Sequence, residues 1–395
     1  MVEDIPSYDY EETIKKHPNL DKPGEDETKI EPNNIQQLIK EELKNDNFIP
    51  VGLKKLDGII YINPVLQFLS GIQEFEEYFI QRTNYFKENA RYICSFITSR
   101  LYFHIYKDKE IKKTKVYNSY HYLNVLNYLN KSINKDNNIK INDILIMILN
   151  ILNEELKEEK NVNENMDKFD HYNLDNIINY GYLYYMNNNN SIITQKLNNF
   201  LLQTIECPKC SKKYYEMKSF PTFELNITDA YENKVSPGGN KIISLQECLN
   251  NETINNKKSI LFYCNSCSSY INSNKVLYQF YKIGDKLIFL LERDSLEKGN
   301  NNNKSNNIIV NIDENINMKD YVCSGDKYLN YELIGIISSE IEQNRYVCFL
   351  KSYYNQKWYL YIDEYTEEKK LNDILNEHNN GKYAPYTLLY SRIKN

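Results

Sequence analysis

The chain has 395 residues, 41% of them hydrophobic, with a net charge of −6 and a pI near 5.6. That length can bury one large core or two ordinary ones. The acidic balance argues against direct nucleic-acid binding. No apolar run reaches the roughly 18 residues of a membrane span, and the acidic start, VEDIPSYDYEE, is unlike a signal or transit peptide. The expected setting is the nucleus or the cytoplasm, where thiols stay reduced and Asn-X-Ser/Thr matches such as Asn226, Asn251 and Asn303 carry no glycan.

Residues 1–48 hold little apolar material. The first 32 carry ten Asp/Glu against four Lys, the composition of a solvated acidic tail. From Phe48 apolar periodicity begins. Helices are expected over 60–80, 86–106 and 141–157, and mixed helix and loop over 117–139. The run Asn187–Asn190 reads as a low-complexity insert. After residue 200 the texture changes to short alternating runs: FPTFELNI, SILFYC, KVLYQFYKI, DKLIFLLER, IIVNI, YELIGIIS, RYVCFLKSYY, KWYLYI and YTLLYSRI. These are strands at hairpin spacing, and residues 299–307 form a polar loop between two of them. The expected fold class is α+β, a helical half followed by a mostly antiparallel sheet.

Four of the eight cysteines form two close pairs, Cys207-Pro-Lys-Cys210 and Cys264-Asn-Ser-Cys267. A two-residue spacing lets a knuckle turn aim two thiolates at one ion, and two knuckles give a tetrahedral all-thiolate zinc site. Such a site is structural, because four protein ligands leave no open position. The long intervening stretch requires the knuckles to sit on long strands that converge. Cys94, Cys248, Cys323 and Cys348 read as core residues.

A cysteine hydrolase needs a thiol at a helix N-terminus, a histidine base and a group that orients it. A helix start is expected near 58–64, but it holds no cysteine. The histidines His17, His104, His121, His171 and His378 read as tail, surface or loop residues. Asp143 and the Glu154–Glu155 pair read as a solvated helix face. No glycine-rich phosphate loop is present.

Several segments, in order, resemble the ubiquitin-specific proteases, papain-like cysteine deubiquitinases. The stretch Gly52-Leu53-Lys54-Lys55-Leu56-Asp57-Gly58-Ile59-Ile60-Tyr61-Ile62-Asn63-Pro64-Val65-Leu66-Gln67 is similar to that family's cysteine box. Asn142-Asp143-Ile144 through Leu156 resembles its QDA-type helix, and the two cysteine pairs resemble its zinc ribbon. Ile283–Arg293 resembles its LPxxLixxLkRF strand. Asn344–Phe349 with Trp358–Asp363 resembles its histidine box, and Pro385–Tyr390 its closing strand. The resemblance implies a helical thumb at about 49–165, zinc-ribbon fingers at about 200–275 and a β palm from the remainder.

It also implies a departure. Ile60 stands at the nucleophile position, Arg345 at the histidine, Ile362 at the orienting aspartate with Asp363 beside it, and Lys55 at the oxyanion-helper asparagine. Asn344 replaces a glycine. Isoleucine cannot attack a carbonyl and arginine cannot serve as a base. In a triad enzyme, loss of the nucleophile alone costs on the order of 10⁶ in kcat. The expectation is a pseudoenzyme that binds ubiquitin or a ubiquitin-like partner, with one structural Zn²⁺ and no nucleic-acid or membrane partner. Two alternatives accompany it. One is a scaffold of the inactive spliceosomal tri-snRNP type, although that member tends to lose the cysteine pairs kept here. The other is a hydrolase using a displaced thiol, Cys94 or Cys348.

Overall fold

The computed structural model describes residues 48–130, 139–158, 170–234, 241–254, 259–293, 308–323 and 328–393. The acidic tail, apart from Phe48, and the loop 299–307 lie outside them.

The helical half begins after a two-residue strand, β1 (Gly52–Leu53). It contains α1 (Ile62–Ser70), α2 (Gln73–Gln81), α3 (Thr83–Lys87), α4 (Ile93–Tyr106), α5 (Lys109–Thr114), β2 (Val116–Tyr117), α6 (Tyr120–Leu129) and α7 (Ile141–Leu156). The expected helix 60–80 is two helices broken at Gly71. A Cβ there would meet Leu350 Cδ2 at 2.4 Å, so glycine lets α1 end this close to the sheet without displacing the Leu350 side chain. The expected helix 86–106 is likewise divided, by a 3₁₀ turn at Ala90–Tyr92.

An eight-stranded sheet follows the order β16 (Tyr365–Lys369), β15 (Trp358–Ile362), β14 (Arg345–Lys351), β13 (Asn330–Glu340), β17 (Tyr383–Arg392), β10 (Lys286–Leu291), β5 (Phe223–Leu225), with β12 (Asn315–Asn317) also pairing with β13. It is antiparallel except where β5 joins β10. Both faces are covered, and the period-2 alternation of side chains assigns residues to each. Tyr346, Cys348 and Leu350 of β14 and Ile288 and Leu290 of β10 enter the core shared with the helices. Val347, Phe349, Leu287, Phe289 and Leu291 enter a second core on the other face. Burial on both faces is why these strands read as continuous apolar runs.

A separate three-stranded sheet, β4 (Lys213–Phe220), β3 (Asn199–Glu206), β9 (Val276–Lys282), projects with the hairpin β7 (Ile260–Cys264) and β8 (Ser269–Ser273). Its tip has a small core of its own: Ile205, Cys207, Phe262, Cys264 and Ile271. Strands β3, β4, β8 and β16 were not among the runs read from the sequence; their partly polar alternation gives a weak signal. Within the run Asn187–Asn190, Asn188 and Asn189 donate to the Tyr184 and Tyr185 carbonyls, and Asn190 donates to Glu158.

Three polar residues depart from their sequence reading. Glu155 is buried, not solvated. Its carboxylate accepts from Cys94 N at 2.8 Å, Ser95 N at 2.7 Å and Ser95 Oγ at 2.7 Å, capping the first turn of α4. His378 is buried, with Nδ1 on the Ile374 carbonyl and Nε2 on Ser338 Oγ, both at 2.7 Å. Cys323 is exposed, whereas Cys94, Cys248 and Cys348 are buried as expected.

Burial pushes the Glu155 carboxyl up to about 7 despite its three donors. Burial likewise lowers His378 to about 4. The folded chain therefore holds a proton on Glu155 that the unfolded chain releases above its ordinary value of 4.5, and the associated stability falls as pH rises through about 7. His378 has the opposite sign: its contribution is present above 6.5 and is lost as pH falls towards about 4. Between pH 6.5 and 8 Glu155 dominates this pair. Urea unfolding from pH 5 to 8 should show wild-type stability falling relative to Glu155→Gln by on the order of 2–3 kcal/mol. Parallel curves would show that Glu155 does not hold the proton.

Candidate functional site

The site is built where the strap 51–56 crosses between the helices and the end of β15. β1 pairs in parallel with β2, and Gly52 N donates to Lys115 O at 2.8 Å. On its other side Leu53 N donates to Asp363 O at 2.8 Å. A Cβ on Gly52 would meet the Glu364 and Asp363 carbonyl oxygens at 2.5 and 2.7 Å, so this crossing requires glycine.

Asn63, in the first turn of α1, is 2% exposed and satisfies three groups from three segments. Its Nδ2 donates to Lys54 O at 3.0 Å and to Asp363 Oδ1 at 2.7 Å, and its Oδ1 accepts from Ser119 Oγ at 2.8 Å. Gln67, one turn on, donates to Val51 O at 2.8 Å. Helix start, strap and sheet end are thereby fastened together.

The positions assigned by resemblance surround this junction. Ile60 is half-buried just before α1, packed on the helical core. Lys55 is exposed, with its backbone N–H 3.4 Å from Glu364 Oε1. Ile362 closes β15, half-buried against the second core. Arg345 opens β14, its Nε and Nη2 donating to Glu340 Oε2 at 2.7 and 2.6 Å across the β13–β14 hairpin. Asn344, in that turn, has φ +47°, a left-handed conformation that asparagine tolerates better than most residues. Asp363 adopts φ +49° and spends its carboxylate on Asn63.

Asn63 and Gln67 were quoted from the sequence only as framing residues; that Asn63 carries three partners could not be read there. His104, near the end of α4, has an acidic partner in Asp108, the cap of α5, 2.8 Å from its Nδ1, and stacks on Tyr117. Both side chains are largely buried between α4 and α5, and neither bonds to Asn63 or Asp363. Burial pushes the Cys94 and Cys348 thiols well up. Cys348 faces the helical core, while His378 packs edge-on against Phe349, which faces the opposite core.

The second site is the thiol cluster. Cys207 and Cys210 lie in the β3–β4 turn, and Cys264 and Cys267 in the β7–β8 turn. All four Sγ atoms lie within 4.8 Å of one another, with Cys207–Cys267 at 3.9 Å and Cys210–Cys264 at 3.6 Å. Four sulfurs about 2.3 Å from a central Zn²⁺ stand about 3.8 Å apart at the edges of a tetrahedron, so the cluster fits the ion. The two knuckles are alike in backbone as well: the residue after each second cysteine, Ser211 or Ser268, is left-handed, with φ +58° and +48°. Against the cost of desolvation, the backbone N–H groups of Cys210 and Lys209 pull the Cys207 thiol down to about 7. β3 and β4 are long, as the separation of the pairs required, but β7 and β8 have five residues each, and Tyr172 braces them by donating to Tyr263 O and accepting from Asn265 N.

A helical thumb against a two-faced sheet, with a four-cysteine projection, defines the ubiquitin-specific protease class of fold. A family model described as ubiquitin carboxyl-terminal hydrolase matches residues 51–390, and the chain belongs to that family. Solved structures agree on the fold. The SAGA DUB module Ubp8/Sgf11/Sus1/Sgf73 bound to monoubiquitin aligns with a TM-score of 0.61 and 16% identity, over 89% of this chain and 70% of that one. The same module bound to ubiquitin aldehyde gives 0.61 and 17%, over 89% and 71%. A yeast SAGA DUB module gives 0.59 and 16%, over 93% and 76%. The comparison with curated proteins gives no match.

Asn63→Ala leaves three polar groups to find other partners and should cost about 2–4 kcal/mol in urea unfolding; a loss under about 0.5 kcal/mol would show that the junction is held elsewhere. Purified protein should carry one zinc per chain by metal analysis. Stripping it should lower the melting temperature and expose the tip to protease ahead of the sheet; full stability after chelation would overturn the assignment.

Proposed function

We propose that this chain binds ubiquitin or a ubiquitin-like protein without cleaving it. The observation that carries the reading is the junction itself. Asn63, Gly52 and Asp363 bring the start of α1 and the end of β15 together as a triad would require, yet the reactive positions are filled by Ile60, Arg345 and Ile362. Arg345 is engaged by Glu340 and offers no base. A family frame kept at the cost of a buried asparagine network, with unreactive groups on it, fits recognition better than turnover. The ubiquitin-bound Ubp8 modules support ubiquitin as the partner class, and a zinc on the four thiols would stiffen the projecting fingers.

Hydrolysis by a displaced thiol has less support. The Cys94 and Cys348 thiols are buried, and no histidine bonds to either among the described residues. The tri-snRNP scaffold reading gains no specific observation, and the retained thiol cluster counts against it.

The test is a calorimetric titration of the purified chain with mono-ubiquitin, beside incubation with a ubiquitin vinyl-sulfone probe. Binding that is weakened by substitutions on ubiquitin's globular face, with no probe adduct, is the expected result. An adduct would establish an active thiol, and no binding at millimolar ubiquitin would remove ubiquitin as the partner.

A further inference from the structure

Charge is divided unevenly along this chain. The first 32 residues hold ten acids and four lysines. Removing those from the 54 acids and 48 bases of the whole leaves 44 of each, so the entire net charge of −6 resides in this segment. Within it, residues 3–12 (EDIPSYDYEE) carry five acids, no cation and the apolar side chains of Ile5, Tyr8 and Tyr10.

The tip of the projection is the complement. Over 206–213 and 259–275 the only acid is Glu206, against Lys209, Lys212, Lys213 and Lys275. Glu206 is taken up by Lys275 at 2.8 Å and lies opposite Lys213 in the β3–β4 ladder. Lys209 and Lys212 are exposed and form no ion pair among the described residues. A second observation comes from the hairpin β7–β8. Its inner face, Phe262 and Ile271, packs into the tip core. Its outer face leaves Leu261 66%, Tyr263 45% and Tyr270 71% exposed, the two tyrosines in an edge-on pair 5.2 Å apart. Lys209 and Tyr263 each adjoin a cysteine of the cluster, and the four thiols lie within 4.8 Å, so cationic and apolar groups share one small surface.

We propose that the acidic segment 3–12 of this same chain docks on this tip. Its carboxylates face Lys209, Lys212 and Lys213, and Ile5, Tyr8 and Tyr10 cover the outer face of β7–β8. The described body begins at Phe48, stacked on Tyr354. The intervening residues 13–47 can span roughly 110 Å, far more than a body of about 20 Å radius of gyration demands. Tethering holds the segment near the tip at an effective concentration in the millimolar range, enough for weak charge pairs and a few apolar contacts to keep it bound.

The test is zero-length carbodiimide cross-linking of the zinc-loaded full-length protein, with peptide mapping. Cross-links from Glu3, Asp4, Asp9, Glu11 or Glu12 should reach Lys209, Lys212 or Lys213 about tenfold more often than the exposed Lys113 and Lys115 of the helical half. They should vanish near 1 M salt, where screening acts over about 3 Å. They should also fall several-fold in L261S/Y270A, shown to be folded by its metal content, which keeps all three lysines in place. Cross-links spread evenly over surface lysines, or unchanged in L261S/Y270A, would overturn the proposal. So would an absence of tail cross-links together with Tyr270-dependent binding of a labelled oligouridine, which would assign the tip to single-stranded nucleic acid.

Discussion

The buried amide of Asn63 is the constraint on which the candidate site depends. An asparagine 2% exposed among apolar neighbours is tolerated only if its donors and acceptor are used. Here they are used by a strap carbonyl, a carboxylate at the end of β15 and a hydroxyl before α6. The strap partner is near in sequence, but Ser119 and Asp363 are distant, so one side chain fixes the meeting of helix, strap and sheet. Gly52 serves the same meeting from the other side, by letting the strap lie against the Asp363 and Glu364 carbonyls.

Around that junction the two kinds of residue differ in what they require. The framing residues are buried and hydrogen-bonded, and their loss costs stability. Ile60, Arg345, Ile362 and Lys55 are half-buried or exposed and accommodate their surroundings without strain; even Asn344, where a glycine is expected, sits in a left-handed turn that it can adopt. The tip obeys a similar division: the thiols face inward to a common point, while lysines and tyrosines face outward.

Much of the architecture was legible because it rests on local signals. Paired cysteines at knuckle spacing announced the cluster, and alternating runs announced β10, β13, β14, β15 and β17. The signal failed where burial was decided by distant partners. Glu155 looks like one of several acids on a helix, and only the N-terminus of α4, some sixty residues earlier, makes it a buried cap. His378 looks like a helix-surface residue until Ser338 and the second core enclose it. Asn187–Asn190 resembles filler by composition, yet its amides are tied to the Tyr184 and Tyr185 carbonyls and to Glu158. The helix boundary at Gly71 was missed because close approach to the sheet, not propensity, sets it.

The sequence by itself determined the mixed helix-and-sheet class and the four cysteines that come together, since alternation and knuckle spacing are local signals; the reactive positions are assigned only by resemblance to the family. Tertiary structure alone decided that the start of α1 is fastened to the end of β15, that Arg345 is held by Glu340 and that the thiols close to tetrahedral spacing. Those facts depend on register and crossing geometry between segments up to some 300 residues apart, as in the bond from Asn63 to Asp363. No local pattern encodes a distance of that kind; it emerges when the two faces of the sheet and the buried amides are satisfied together.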